Sequence, residues 1–170
     1  MNNLIKCLGV AACCFLFGGL SQAQAQVKIG YLNTSELISL MPETKAADSQ
    51  FNAFAQKLQE TLQPMQKDLQ SKFEAYQKEQ ATLADAVKQS REQEMQDLNQ
   101  RIDQFQLKSQ QDMQKKREEL MSPILEKVQA AIKTVADANN YTYILDASAI
   151  LHGPEGDNVL ELLKKELGIN

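Results

Sequence analysis

The chain has 170 residues, of which 43% are hydrophobic and 24% are charged, and its formal net charge at pH 7 is −4. This length suggests one domain, or one small domain with a long extension. The acidic balance argues against nucleic acid as a partner and against tight binding to an anionic lipid surface.

Residues 1–25 have the pattern of a secretory signal peptide. A short basic region precedes an apolar stretch at residues 7–20. Ala23 and Ala25 then form the small-x-small pattern that predicts cleavage before Gln26. The apolar stretch is well short of the ~20 residues that cross a bilayer, which disfavours a transmembrane anchor. We therefore expect an exported protein.

A second processing route remains open, because residues 10–13 have the Val-Ala-Ala-Cys sequence of a lipoprotein box, in which Cys13 would be lipidated. The residues after Cys13 continue the apolar run, however, and this favours simple cleavage. All three cysteines, Cys7, Cys13 and Cys14, precede Gln26. The exported chain is thus predicted to contain no disulfide, no thiolate nucleophile and no cysteine metal site.

Residues 26–42 are predicted to form a strand and a short helix. Apolar and polar side chains alternate over residues 27–33, which is the period of a half-buried strand, and its apolar members are Val27, Ile29 and Tyr31. Thr34 or Ser35 can cap a helix that ends near residue 40. Pro42 ends this helix and suits the first turn of the next one.

Residues 43–140 contain no glycine and are rich in good helix formers. A first apolar stripe follows an eleven-residue repeat, which is typical of a nearly straight helix pairing. Its members are Phe51, Phe54, Leu58, Leu62, Met65, Leu69, Phe73 and Tyr76, and it thins beyond them to Leu83 and Val87. A second stripe runs from Met95 to Val135 and is sparse between Phe105 and Leu120.

The long helical segment is predicted to fold back as a hairpin. A single helix would be about 147 Å long and would hold the two strand-forming ends of the chain apart. Short strands are marginal unless they share a sheet, so the ends must meet. Ser90 and Gln93 form a possible capping box near the midpoint. We therefore expect a fold point near residue 91, a tip within residues 84–92, and arms of about 70 Å.

Residues 141–170 are predicted to return to the strand-forming end. Aromatic and β-branched residues at 141–146 indicate a strand. The elements expected after it are a turn at 147–148, a second short strand at 149–151, a loop at 152–156 and a final helix. Asn158 is expected to cap this helix, and Glu161, three residues later, fits the same capping pattern. Leu160, Leu163 and Leu167 form the apolar face of that helix.

The predicted fold class is α+β, a small β core carrying a long helical hairpin. Such a core is too small to be stable alone. Oligomerisation would pool several small sheets into one closed β core without exposed edges. The candidates for this shared core are Val27, Ile29, Tyr31, Tyr143, Ile144, Leu145 and Ile150.

The residues indicate neither an enzyme nor a metal or cofactor site. His152 stands in a loop without an acid and nucleophile to accompany it, and no glycine-rich phosphate loop is present. Asp146 follows a strand and could belong to a site. The simpler interpretation is a turn residue that accepts hydrogen bonds from its own backbone.

Essentially all of the chain after the expected cleavage site resembles the Skp/OmpH family of periplasmic chaperones. Residues 27–33 and the short helix after them are similar to the family's first strand and helix, and residues 127–136 to the end of its returning arm. The most specific match is Tyr-Ile-Leu-Asp-Ala-Ser-Ala-Ile at residues 143–150, which resembles the family's hydrophobic-Asp-Ala strand turn. The resemblance covers residues 27–167.

The resemblance implies a jellyfish-like homotrimer. Three chains would share a β barrel, and three hairpin tentacles would enclose a cavity that holds unfolded outer-membrane proteins soluble in the periplasm without ATP. An unfolded protein bound in this way is called a client below. An alternative that stays open is a structural or adaptor coiled coil of the cell envelope. One departure is that residues 78–101 carry four bases and five acids, whereas the best-known member has basic tips, so a lipopolysaccharide site is not carried over.

The apolar stripes are expected to serve mainly as packing between the arms. Where the facing stripe is thin, part of them could contact a client, and methionine suits such adaptable contacts. The client-contact candidates are Phe54, Met65, Phe73, Tyr76, Leu83, Phe105 and Met113. Pro64 and Pro123 lie inside the helical pattern, where a proline costs about 3 kcal/mol, and we hypothesise that they let the arms bend.

Overall fold

The computed structural model describes residues 27–169. The expected signal peptide, its cleavage site and Cys13 lie outside the described residues. The described part contains strands β1 (Ile29–Leu32) and β2 (Tyr143–Asp146) and helices α1 (Thr34–Leu40), α2 (Pro42–Glu79), α3 (Asp85–Asn139) and α4 (Leu160–Leu167). Two single-turn 3₁₀ helices, Ala147–Ala149 and Glu155–Asp157, lie between β2 and α4.

Helices α2 and α3 form the predicted long hairpin, and the two strands meet at its base. The 38 residues of α2 and the 55 residues of α3 correspond to lengths of about 57 Å and 83 Å. The strands pair in parallel, with Ile29 opposite Tyr143 and Tyr31 opposite Leu145. A small two-stranded sheet with a long helical hairpin confirms the predicted fold class.

Helix α1 is capped by Asn33, and not by Thr34 or Ser35 as predicted. The Asn33 side chain accepts a hydrogen bond of 3.1 Å from the backbone N–H of Glu36. Asn33 is the first residue after β1 and has an extended backbone, which is the geometry that an N-cap needs. Pro42 starts α2 as predicted.

The predicted fold point near residue 91 is wrong, because the chain reverses at residues 80–84. Ser90, the proposed cap, lies inside α3. The turn is closed by the backbone N–H and the hydroxyl of Thr82, which both donate to the carbonyl oxygen of Glu79 at 2.9 Å. The arms are unequal, since Lys127 of α3 pairs with Glu43 at the start of α2, while α3 continues to Asn139 and contacts β2 and α4.

The predicted second strand at residues 149–151 is also wrong. Residues Ala147–Ala149 form a 3₁₀ turn instead. The physical reason is that the Asp146 carboxylate accepts hydrogen bonds from both the backbone N–H and the hydroxyl of Ser148. These bonds curl the chain away from the strand direction and leave Leu151 fully exposed.

The hydrophobic core lies at the base of the hairpin, between the inner face of the sheet, α1, α4 and the end of α3. Its fully buried side chains include Leu37, Met41, Val159 and Leu163, and Val128 joins them from α3. The N-terminus of α4 lies close to the sheet, since the backbone N–H of Val159 donates to the carbonyl of Tyr31 at 2.9 Å.

A side chain at position 30 would collide with this core. A Cβ atom at Gly30 would lie 2.8 Å from the Cγ1 atom of Val159 and 3.0 Å from the ring of Tyr141. Glycine at the centre of β1 therefore permits the sheet to close on α4.

Candidate binding surfaces

One face of the two-stranded sheet is apolar and exposed. Parallel pairing puts Ile29, Tyr31, Tyr143 and Leu145 on the same face. Tyr143 is 58% exposed and Ile29 is 44% exposed. A sheet face with this composition has the character of an interface.

Five of the seven shared-core candidates lie in the two strands, and they divide between the two faces of the sheet. Val27 precedes β1 and is exposed, and Ile150 is half-buried after the 3₁₀ turn. Ile144 lies opposite Gly30, on the other face, and packs against the chain's own core. The sheet therefore places four of the candidates together on its exposed face, while Ile144 is covered by the core of its own chain.

A groove of about 890 Å³ runs between the arms in the outer third of the hairpin. Apolar side chains from both arms line it, and they include two of the client-contact candidates, Phe73 and Tyr76. Phe73 is 52% exposed, although it belongs to the stripe that packs the arms together. Sequence reasoning identified these two residues from the thinning of the facing stripe.

The groove also contains residues that sequence reasoning did not select. Met95 and Ile102 of α3 line it, and their place in the second apolar stripe was the available signal. Several glutamines line it as well, and nothing in their sequence positions distinguishes them from ordinary helix-forming surface residues.

The remaining five client-contact candidates lie elsewhere on the hairpin. None of them lines the groove. Each is half-buried, which fits packing between the arms as well as contact with another chain. These five residues are Phe54, Met65, Leu83, Phe105 and Met113.

The opposite face of the same hairpin segment is polar. A groove there of about 720 Å³ is lined by charges of both signs, including Lys72, Glu94 and Arg101. Lys72 donates to Glu94 at 2.7 Å across the arms, and this hydrogen bond raises the pKa of Lys72. The two faces of the hairpin therefore offer different chemistry.

Polar contacts between the two arms show which residues of α2 and α3 lie opposite each other. Arg91 donates to Glu79 at 2.8 Å, and the Tyr76 hydroxyl donates to Glu92, which raises the pKa of Tyr76. At the base, Lys127 of α3 pairs with Glu43 at the start of α2, and this pairing lowers the pKa of the Glu43 carboxyl. The two residue numbers of every such pair average 83 to 85, which agrees with the turn at residues 80–84.

Asp146 is the turn residue that the simpler interpretation predicted. Besides Ser148, its carboxylate accepts a hydrogen bond of 3.3 Å from the backbone N–H of Thr34. Hydrogen bonds from Ser148 and Thr34 hold the pKa of Asp146 well below its ordinary value. The carboxylate thus joins the end of β2 to the start of α1.

His152 is exposed, and Gly153 beside it lies against the ring of Tyr31. Among residues 27–169, no group of three or more His, Cys, Asp or Glu side chains is arranged to hold a metal ion. Within the same residues, no helix has the length and apolar character needed to cross a membrane.

Comparison with known proteins matches this chain to an OmpH-like family model and to Skp proteins. The family model described as "Outer membrane protein (OmpH-like)" matches residues 28–167. The Chaperone protein Skp of Photorhabdus luminescens is 30% identical over 146 residues, which cover 85% of this chain and 88% of that protein. The Chaperone protein Skp of Vibrio cholerae is 23% identical over 172 residues, covering 98% of this chain and 99% of its own length.

A solved structure has the same fold. The crystal structure of an OmpH-like protein from Caulobacter crescentus superposes with a TM-score of 0.73 and 14% sequence identity. The superposition covers 84% of this chain and 85% of that one. At this level of identity the likeness concerns the fold.

Proposed function

We propose that this chain, which belongs to the OmpH-like outer membrane protein family, is an ATP-independent periplasmic chaperone that holds unfolded outer-membrane β-barrel proteins soluble. An unfolded barrel protein presents alternating apolar strands that pair with one another and aggregate. A chaperone that shields these strands needs accessible apolar surface on a scaffold that is stable without the client. The proposed role is that of a binding protein and not of an enzyme.

The observation that carries the proposal is the apolar groove in the outer third of the hairpin. Phe73 lies 52% exposed there, remote from the core at the base of the hairpin. The apolar surface can therefore bind a client without unfolding the core. Skp proteins that share about 30% of the sequence bear the name chaperone, which supports the same role for this chain.

We propose further that three chains assemble through the exposed face of the sheet. A two-stranded sheet is marginal on its own, and its apolar face carries Ile29, Tyr143 and Leu145. Closing three such sheets into one barrel would cover these side chains and remove the strand edges. The three hairpins would then enclose a cavity in which weak contacts at many points hold the client.

Light scattering tests the holdase function. A urea-unfolded outer-membrane β-barrel protein is diluted into buffer with and without the exported chain, in the absence of nucleotide. We expect aggregation to be suppressed at about three chains per client, and added ATP to change nothing. If the folded chain leaves scattering unchanged, the holdase function is wrong and a structural coiled coil becomes the better interpretation.

Export to the periplasm with cleavage before Gln26 is part of the proposal. The intact mass of the protein recovered from an envelope fraction tests it, since the mass gives the first residue directly. A mass that corresponds to a lipidated N-terminal Cys13 would replace simple cleavage with a lipid anchor.

The two helical prolines are proposed to adapt the cavity to client size. Pro64 lies inside α2 and Pro123 inside α3, and each removes a backbone hydrogen bond from its helix. The arms would bend more easily at these points. If Pro64→Ala and Pro123→Ala leave the range of client sizes unchanged in the scattering assay, the prolines have no such role.

A further inference from the structure

The groove between the arms has an apolar floor made by both helices. Leu69 and Tyr76 contribute from α2, and Met95 and Ile102 contribute from α3; all four are at least half-buried. Phe73 lines the same groove and is the most exposed of these apolar side chains. A chain that lies in the groove can bury apolar side chains against surface that is already held in place.

Amide side chains from both arms line the same groove. They are Gln66, Gln70, Gln96, Asn99, Gln100 and Gln106. Five of the six are exposed, and Gln106 is half-buried. An amide both donates and accepts hydrogen bonds, so a series of amides can pair with the backbone N–H and C=O groups of an extended chain, which need partners when they leave water. A helical segment has already paired these groups internally.

The length of the groove corresponds to a short extended segment. Its lining residues on α3 run from Glu92 to Gln106, which is about 21 Å along the helix. An extended chain advances about 3.3 Å per residue, so the groove accommodates about six residues. In such a segment alternate side chains point to one side, as in the strands of outer-membrane barrels, whose apolar and polar residues alternate.

The charge of the lining disfavours acidic segments. Glu92 and Asp103 are its charged members, and neither a lysine nor an arginine lines it. The polar groove on the opposite face differs, since Lys72 and Arg101 line that one together with acids. Acidic side chains of a bound segment would be repelled by Glu92 and Asp103, and no basic side chain of the lining would offset this repulsion.

From these four features we infer that the groove binds one extended client segment of about six residues, with apolar side chains at alternate positions and neutral or basic side chains between them. This inference rests on the proposed function and specifies what the chaperone recognises. It also assigns the grooved face of each hairpin, and not the polar face, to the client. Recognition depends on the pattern of the segment and on its lack of acids.

The first test uses three labelled peptides and fluorescence anisotropy with the full exported chain. One peptide of seven residues has leucine and tyrosine alternating with serine. The second has the same composition in an order that does not alternate, and the third has glutamate in place of serine. We expect the first to bind at least tenfold more tightly than the other two. Equal binding of the first two, or no binding of the first at millimolar concentration, overturns the inference.

Variants then locate the site. Phe73→Ser should weaken the alternating peptide at least tenfold. The matched control is Leu107→Ser, because Leu107 is 60% exposed and does not line the groove; it should change binding less than twofold. The double variant Gln96→Leu, Gln100→Leu keeps the helix and removes two amides, and it should abolish the preference for the alternating order. Equal losses in Phe73→Ser and Leu107→Ser would show diffuse apolar contact and overturn the inference.

Failure of this inference and failure of the proposed function can be told apart. If the wild-type chain suppresses aggregation of a barrel protein but Phe73→Ser binds the peptide normally, the groove assignment is wrong and the holdase function stands. If the wild-type chain binds the alternating peptide through Phe73 yet does not suppress aggregation, the groove assignment stands and the holdase function is wrong. Helix content by circular dichroism checks that each variant is folded.

Discussion

Replacing Tyr143 with serine should break the proposed trimer while leaving the single chain folded. Tyr143 lies on the outer face of β2 and is 58% exposed, so it contributes little to the chain's own core. A tyrosine side chain presents about 200 Å², and at about 25 cal/mol per Å² the exposed part corresponds to at most about 3 kcal/mol for each chain when an assembly covers it.

A loss of this size should be visible in the concentration dependence of assembly. About 3 kcal/mol per chain corresponds to a factor of about 100 for each covered side chain, so a trimer stable at micromolar concentration would dissociate. Sedimentation equilibrium measures the mass directly. We expect three times the chain mass for the wild type and a concentration-dependent lower mass for Tyr143→Ser. The matched control is Leu162→Ser, on the surface of α4.

Two results would refute this reasoning. If Tyr143→Ser keeps the full mass at all concentrations, the apolar face of the sheet is not the interface. If the wild type is a monomer at micromolar concentration, then the sheet face is not covered by copies of the chain at all. Circular dichroism must show the same helix content for both variants, since a loss of helix would indicate unfolding and not dissociation.

Three further predictions concern the base of the hairpin. Gly30→Ala should lower the unfolding temperature, since the new Cβ would lie 2.8 Å from a buried valine side chain and overpacking costs about 1–3 kcal/mol. The control Gly156→Ala should leave the unfolding temperature unchanged, because no atom lies within 4 Å of its new Cβ. Equal effects of the two substitutions would contradict the packing argument. Leu163→Ala should cost about 2–5 kcal/mol in urea unfolding because it empties a fully buried site, whereas the exposed Leu162→Ala should cost far less. Because the pKa of Asp146 is lowered in the folded chain, its carboxylate stabilises the fold at pH values above the ordinary pKa of 3.8, and this contribution is lost as the pH falls below that value. The unfolding temperatures of the wild type and of Asp146→Asn should therefore differ at pH 7 and converge in acid. A difference that stays constant with pH would argue against the role of the charge.

Much of the hairpin could be predicted from the sequence because helix periodicity is local. The eleven-residue repeat from Phe51 onwards placed one side of α2 against a partner, and Pro42 marked its first turn. The need to bring two strand-forming ends together required the helix to reverse. The alternation at residues 27–33 and the aromatic and β-branched residues at 141–146 located both strands of the sheet.

The position of the tip could not be predicted in the same way. The midpoint rule assumed equal arms, but Lys127 of α3 already pairs with Glu43 at the start of α2. Helix α3 continues from there to Asn139, and Val135 in this extension belongs to the core at the base. Which part of a helix meets its partner arm and which part meets the sheet depends on distant residues. The same holds for Ser148, whose hydrogen bonds to Asp146 replaced a predicted strand with a turn.

The sequence could predict only some of the residues that line the candidate groove. Phe73 was selected because the facing stripe is thin, and the structure places it in a groove with Met95 and exposed amides. The stripe itself cannot say which of its members are covered by the other arm, since that depends on the register of α2 against α3. The opposite, charged face is defined by the same register through Lys72 and Glu94.

The sequence by itself determined that the chain has a signal-like N-terminus, a long helical hairpin, two strands and an acidic balance, because these follow from residue type and from periods of two and about 3.6 that each segment carries alone. Only the tertiary structure decided the unequal arms, the parallel pairing of the strands, the apolar outer face of the sheet and the two unlike faces of the hairpin. These features depend on register between segments far apart in the chain, and register is set by packing at the base of the hairpin, where Leu37, Val128 and Leu163 meet.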